Sequence, residues 1–221
     1  MQAVSLPSTD AAPRRERRKE ARPRELLDAA LDLFVEKGYA ATRAEEIAAR
    51  AGVSKGTLFL YFPTKQDVFK AVIRENIVSQ FPIWQQEFEQ YQGSSADMLR
   101  YTMRTWWERM GKTRASGVVK LVMSEAQNFP EIATYYQQEV IQPGNALLRN
   151  ILTRGVERGE FRPLDLDHAI YTLTAPMIFL MMWKHSLGAC CTQEATIRDP
   201  EDFLNVQVDV LLNGLLAPKQ P

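Results

Sequence analysis

Between residues 42 and 65 this 221-residue chain gathers groups suited to one kind of chemistry. Arg43, Lys55 and Lys65 are cations that neutralise phosphates, and the hydroxyls of Thr42 and Thr57 bond phosphate oxygens. Phe59, Leu60 and Tyr61 put aromatic and aliphatic surface where a solvated helix would carry Glu and Lys. Apolar side chains beside a basic helix start suit contact with thymine methyls in a DNA major groove. The set predicts a nucleic-acid contact.

Such groups need short, rigid elements to hold them. Residues 25–37 place Leu26, Leu27, Ala30, Leu31, Phe34 and Val35 three and four apart, the face of an amphipathic helix. Pro23 is tolerated in its first turn, and Gly38 can take the left-handed stop. A brief second helix over residues 45–51 turns Ile47, Ala48 and Ala51 inward, with Thr42 and Glu45 spaced as a capping box. Gly52 supplies the positive φ of the turn, Val53 plugs the corner, and Ser54 caps a third helix over residues 55–62. Leu58 and Phe62 are its core side, leaving Lys55, Gly56, Thr57, Phe59, Leu60 and Tyr61 outward. Thr64 and Asp67 open a fourth helix, where Lys65 opposes the macrodipole unless a phosphate sits at that end.

Residues 24–76 closely resemble the DNA-binding domain of TetR/AcrR-family transcriptional regulators. The residues that carry the resemblance are Gly38-Tyr39, Thr42, Ile47-Ala48, the run from Ala51 to Leu58, and Tyr61-Phe62-Pro63-Thr64-Lys65. It covers about a quarter of the chain, and the whole run at its spacing is specific. It implies an all-helical homodimer of about nine helices. A three-helix helix-turn-helix domain would be followed by a helical domain for ligand binding and dimerisation. It also implies a repressor on a palindromic double-stranded DNA operator, released by a small-molecule effector. DNA contacts would fall at Thr42, Arg43, Lys55, Gly56, Thr57, Phe59, Leu60, Tyr61 and Lys65. Three positions depart from the family pattern. Phe59 stands where tyrosine is usual, Leu60 where a polar residue or histidine is common, and Arg43 where Thr or Ser caps the helix. Arg43 cannot cap, but it can reach a phosphate.

Upstream, residues 1–21 read as an unstructured basic arm, with Arg14, Arg15, Arg17, Arg18 and Lys19 in its second half. No apolar stretch of signal-peptide length appears there. Residues 1–66 hold 12 Lys/Arg against 9 Asp/Glu, and the remainder balances the chain to zero net charge. The helix-turn-helix domain is set at residues 22–66 and the ligand-binding domain at 67–217.

The second domain reads as helix throughout. The fourth helix meets a break at Phe81-Pro82, and later helices fall near residues 96–110, 118–127, 130–158, 165–187 and 200–216. The apolar run at 169–183 is too short for a bilayer span of about 20 residues, so no membrane partner is expected. It and the last helix are apolar on too many sides for one core face. In the resembled family such helices form a four-helix bundle between subunits. Met177, Leu180, Met181, Leu204, Val208, Leu211, Leu212 and Leu215 are therefore expected at a dimer interface. An effector pocket is expected from Trp84, Phe88, Met103, Trp106, Trp107, Met110, Met123, Gln127 and Phe179, favouring an apolar or aromatic compound. Trp106 and Trp107 point about 100° apart on a helix, so one can line a cavity while the other packs.

Catalysis and metals find no constellation. His168 and His185 lack further ligands at metal spacing, so no metal or cofactor is expected and the chain does not read as an enzyme. Cys190 and Cys191 are adjacent and cannot staple the fold, which points to the cytoplasm and leaves a thiol-sensing role as an alternative.

Overall fold

The computed structural model describes residues 14–190 and 199–215, with side chains from residue 22 onward. Every regular element among them is helical. Helix α1 (Arg14–Lys37) begins well before the expected start. The second half of the basic arm is thus helical, and Pro23 lies inside the helix, where its ring removes one backbone hydrogen bond. Residues 1–13 of the arm lie outside the described residues. Helices α2 (Ala44–Arg50) and α3 (Lys55–Tyr61) follow, joined by a turn in which Gly52 takes φ +66°. Gly38, at φ +88°, ends α1 as its left-handed cap.

Helix α4 (Lys65–Asn76) is shorter than the sequence suggests, because Ile77 leaves helical geometry at φ −123° and ψ −58°. A short 3-10 turn leads into α5 (Phe81–Gln90), a separate helix with Pro82 in its first turn. The break thus precedes the proline that seemed to cause it; proline is at home where the N–H has no helical partner. Then come α6 (Ser95–Trp106), α7 (Gly117–Glu125), α8 (Pro130–Tyr136), α9 (Gln142–Glu157), α10 (Leu166–Lys184), the short α11 (Leu187–Cys190) and α12 (Pro200–Leu215). Two five-residue π-helical segments interrupt this order, Trp107–Gly111 after α6 and Gln137–Ile141 between α8 and α9. Such segments cost hydrogen-bond quality and concentrate at functional sites.

Two cores hold the helices. The first joins Leu26, Ala30 and Phe34 of α1 to Ile47, Leu58, Phe69 and Ile73, then continues into Val118 and Val122 of α7 and Ile132 of α8. Helices α1 to α4 therefore share one core with α7 and α8 behind them. Phe34, Tyr39 and Phe69 form a ring triad with centroids 5.3 to 5.6 Å apart, and Phe129 adds an edge contact to Tyr39 at 4.8 Å. Each such pair contributes about 0.5–1.5 kcal/mol beyond burial. The second core lies among α6, α9, α10 and α12, around Leu99, Met103, Leu152, Phe161, Leu173 and Leu212. No helix among the described residues is long and apolar enough to cross a membrane.

Candidate functional site

The groups on α2 and α3 are held by short-range caps. Ser54 Oγ accepts from the Thr57 backbone N–H at 3.1 Å and lies 2.9 Å from the Thr57 hydroxyl, which fixes the start of α3. Leu58 is fully buried beneath the helix, as its spacing predicted, while Phe62 ends it as a half-buried cap residue. Leu60 stands at the apex with 81% of its surface exposed. Lys55, Gly56 and Arg43 are exposed beside it, while Thr57, Phe59 and Tyr61 are half-buried. These seven residues share one end of the molecule.

Two others expected to join them lie close by but are engaged within the fold. Thr42 is 1% exposed, and its hydroxyl donates to the carbonyls of Gly38 at 2.7 Å and Leu33 at 3.2 Å. It closes the end of α1 and cannot touch a ligand. The capping residue of α2 is instead Arg43, whose backbone N–H donates to Glu46 Oε2 at 2.9 Å. Lys65 is the larger correction. Its ammonium donates to the carbonyls of Tyr39 at 2.9 Å, Thr42 at 2.9 Å and Ala40 at 3.3 Å, and lies 4.4 Å from the Tyr39 ring centroid. An ammonium has three donors, and all three are occupied. Burial pulls its pKa below the usual lysine range. Lys65 therefore ties the start of α4 to the α1–α2 turn in place of the expected phosphate contact.

Carboxylates balance most of the local positive charge. Arg50 meets Glu36 through two bonds of 2.7 and 2.8 Å, Lys37 meets Glu46, and Lys55 meets Glu45. The Lys55 ammonium also lies 5.6 Å from the Phe59 ring centroid. Of Arg43, Arg50 and Lys55, only Arg43 has no carboxylate partner within 4 Å among the described residues. Exposed pairs of this kind are worth about 0–1 kcal/mol, so a phosphate can displace Glu45 from Lys55 at little cost.

Behind this end lies a cavity of about 350 Å³. Ile77, the residue that terminates α4, forms part of its wall, with Phe81, Trp84 and Phe88 of α5 beside it. Opposite stand Tyr101, Thr105 and Trp106 of α6, Met110 of the first π segment, and Val140 and Ile141 of the second. Tyr171, Thr174, Met177 and Met181 of α10 complete it. The volume falls in the range of small-molecule sites.

Four of the nine expected pocket residues line this cavity: Trp84, Phe88, Trp106 and Met110. Trp106 faces the space while Trp107 is 3% exposed in the second core, the divergence expected of helical neighbours. Met103 is likewise core, at 1% exposure. Met123 points to solvent because Val118, Val119, Leu121 and Val122 already fill the inner face of α7, and Gln127 lies exposed past its end. Phe179 sits on the outer face of α10 against Trp183 and Phe203. The sequence reading missed Tyr101, Thr105, Tyr136, Asn145 and Thr174. Their one legible sign was polar groups interrupting otherwise apolar helix faces, as Thr174 does in α10.

The expected dimer residues also change place. Leu180, Leu204, Val208, Leu212 and Leu215 are buried in the subunit's own second core, Leu211 packs against it, and Met177 and Met181 line the cavity. The outer faces of these helices carry other apolar groups, Phe179 on α10 and Val206 and Val210 on α12, each about half exposed or more. Cys190 is exposed, and Cys191 lies outside the described residues. Among the described residues, no three His, Cys, Asp or Glu side chains gather as metal ligands. His168 pairs with Asp165 at 2.7 Å, and His185 with Ser116.

Comparison with known proteins places this geometry. The sequence pattern of bacterial regulatory proteins of the tetR family matches residues 26–72, and that of the tetracyclin repressor-like C-terminal domain matches residues 91–188. The chain is 26% identical to the HTH-type transcriptional regulator RutR of Escherichia coli K12, over 91% of this chain and 94% of that one. Among solved structures, the fatty acid degradation regulator FadR of Bacillus halodurans superposes with TM-score 0.70 at 22% identity, covering 86% of this chain and 94% of that one. The ketosteroid transcriptional regulator KstR2 of Mycobacterium tuberculosis superposes with TM-score 0.68 at 20% identity, covering 89% and 96%. With both parts of the family pattern matched in order, and the helix-turn-helix and the helical domain behind it in place, this chain is a member of the TetR family of transcriptional regulators.

Proposed function

We propose that this regulator is a cytoplasmic, non-catalytic repressor that binds a palindromic operator as a homodimer and leaves it when an apolar or aromatic effector fills the cavity. The observation that carries the reading is the placement of α4. Its first residue, Lys65, grips three carbonyls of the turn that positions α2, and the residue that ends it, Ile77, lines the cavity. Twelve residues at 1.5 Å each make a lever of about 18 Å between them. Two recognition helices must sit about 34–36 Å apart to enter successive major grooves. An effector that displaces Ile77 and α5 tilts both copies of α4 and changes that spacing. The effector binds one conformation better and DNA the other, which is the whole of the coupling.

Arg43, Lys55, Gly56, Thr57, Phe59, Leu60 and Tyr61 are the proposed DNA-contacting set. Fluorescence anisotropy on the DNA flanking the protein's own gene, with excess competitor DNA, tests it. Saturable binding at physiological salt, reversed by a compound that also binds the isolated protein, is the expected result. Binding abolished by competitor or modest salt would reduce the contact to non-specific electrostatics. A cavity ligand that leaves operator affinity unchanged would sink the coupling.

A further inference from the structure

The charge balance of the cavity narrows what can enter it. Among the described side chains that line it, Glu87 is the only one carrying a full charge. That charge is already matched: Glu87 Oε1 accepts from Arg109 Nη2 at 2.7 Å, joining α5 to the first π segment at the partly solvated edge of the cavity. Beside the pair the hydrogen-bonding inventory is unbalanced in one direction. Arg109 Nη1 and the indole Nε1 of Trp84 are buried donors with no acceptor among the described residues. Trp84 precedes Glu87 by three residues on α5, so the two lie on one helix face. Tyr101 of α6 also lines the cavity, adding a phenolic hydroxyl. The remaining wall is aromatic and aliphatic, from Phe81 and Trp106 to Ile178 and Met181.

Building on the effector-cavity reading above, we infer that the effector is an uncharged molecule whose apolar body ends in a hydroxyl, carbonyl or ether oxygen, and that the Glu87–Arg109 pair enforces this neutrality. A ligand oxygen beside Trp84, which lines the cavity, supplies an acceptor for its indole N–H. Among the described lining residues a ligand cation finds one carboxylate, Glu87, already neutralised by Arg109, and a ligand anion finds no cation on the wall, the guanidinium behind it being held by Glu87. Either ion adds an unmatched charge to a largely apolar space, where burial of charge is costly unless paired. Opening the pair to serve the ligand strands the other member. Glu87 and Arg109 are thus specificity-determining residues that act by cancelling each other.

The test uses one molecular body with three heads: 4-phenylphenol, biphenyl-4-carboxylate and biphenyl-4-yl-trimethylammonium. Each is titrated into the full-length protein at pH 7, with binding followed by quenching of tryptophan fluorescence, which Trp84 and Trp106 report from the cavity wall, and by calorimetry. The phenol is expected to bind at least about tenfold more tightly than either ion. Glu87→Gln, close to isosteric, leaves Arg109 unmatched and should move the carboxylate ahead of the ammonium; Arg109→Met should do the reverse. A merely structural ion pair would weaken all three ligands together and leave their order unchanged, which would overturn the inference. An ion that binds wild-type protein as well as the phenol would also overturn it, while leaving the effector-cavity reading standing. Absence of binding by all three would overturn both.

Discussion

At the scale of single residues, three lysines or arginines that look alike in the sequence do different work. Arg43 caps α2 with its backbone alone and keeps its guanidinium free of carboxylates among the described residues. Lys55 is lightly held by Glu45, and Lys65 is fully occupied by carbonyls. Arg43→Ala should therefore weaken binding to all DNA sequences about equally and make the salt dependence shallower, by about 1 in slope for each phosphate no longer neutralised. Lys65→Met should also weaken operator binding, but with an unchanged slope and a drop of about 1–3 kcal/mol in folding stability, because it removes hydrogen bonds and no phosphate contact. Equal slope changes in the two variants would contradict this division. His185 makes a second residue-scale case. The Ser116 hydroxyl donates to the Thr113 carbonyl, which leaves its oxygen to accept from His185 Nε2–H. Burial, then Lys184 and Lys120, lower its pKa from 6.5 to about 4. The unfolded chain binds the proton more tightly, so stability falls as pH drops from 6.5 through 4, by at most about 3 kcal/mol. Denaturant melts of wild type and His185→Gln across that window should converge at acid pH. A parallel decline in both would assign the acid sensitivity elsewhere.

At the scale of elements, it is the contacts between helices that would carry the proposed coupling from the cavity to the helix-turn-helix. Gly117 opens α7 where α1 and α10 also arrive: a Cβ there would lie 2.7 Å from both Val35 methyls and 3.2 Å from the His185 ring. Gly117→Ala should cost about 1–3 kcal/mol by overpacking, and should weaken DNA binding because α1 shifts with Val35. A melting temperature equal to wild type would show that α1 has room to move. The periodicity of Leu26, Ala30, Phe34, Ile47 and Leu58 made the first three helices legible, since apolar groups three and four apart have one way to be buried. The break after α4 was not legible at its true place. Pro82 drew attention to itself, yet the chain departs from helix at Ile77, a residue with no such tendency, where the packing of α5 over the cavity sets the direction. The two π segments were illegible for the same reason. Their extra residue turns Met110 and Ile141 into the cavity, and no local preference encodes that choice.

At the scale of the whole molecule, two cores face a cavity between them, and apolar groups on α10 and α12 are left on the outside among the described residues. Phe179, Val206 and Val210 place apolar area on the free faces of α10 and α12, and in the proposed homodimer these faces meet. Val210→Asp should turn a dimer into a monomer in sedimentation velocity with little change in helix content, since Val210 is 62% exposed in the subunit. Operator affinity should fall with it, because one recognition helix reads only a half-site. A variant that stays dimeric would move the interface to another surface. Leu212→Asp is the contrasting case: Leu212 is 1% exposed, so that change should unfold the subunit rather than separate two.

The sequence by itself determined the all-helical class, the helix-turn-helix with its glycine turn, the burial of Leu58 beneath exposed Lys55, Gly56 and Leu60, and the family. These rest on neighbours within a few residues, whose backbone angles and side-chain directions follow from local spacing. Tertiary structure alone decided which side of an apolar helix looks inward. On α10 and α12 nearly every face is apolar, so periodicity cannot separate core from cavity wall or from free surface, and Met177, Leu180 and Leu212 were set at the wrong one. It also decided the partners of charge. Lys65 meets carbonyls 23 to 26 residues away and Arg109 meets Glu87 22 residues away, separations at which only the folded path of the chain determines who meets whom.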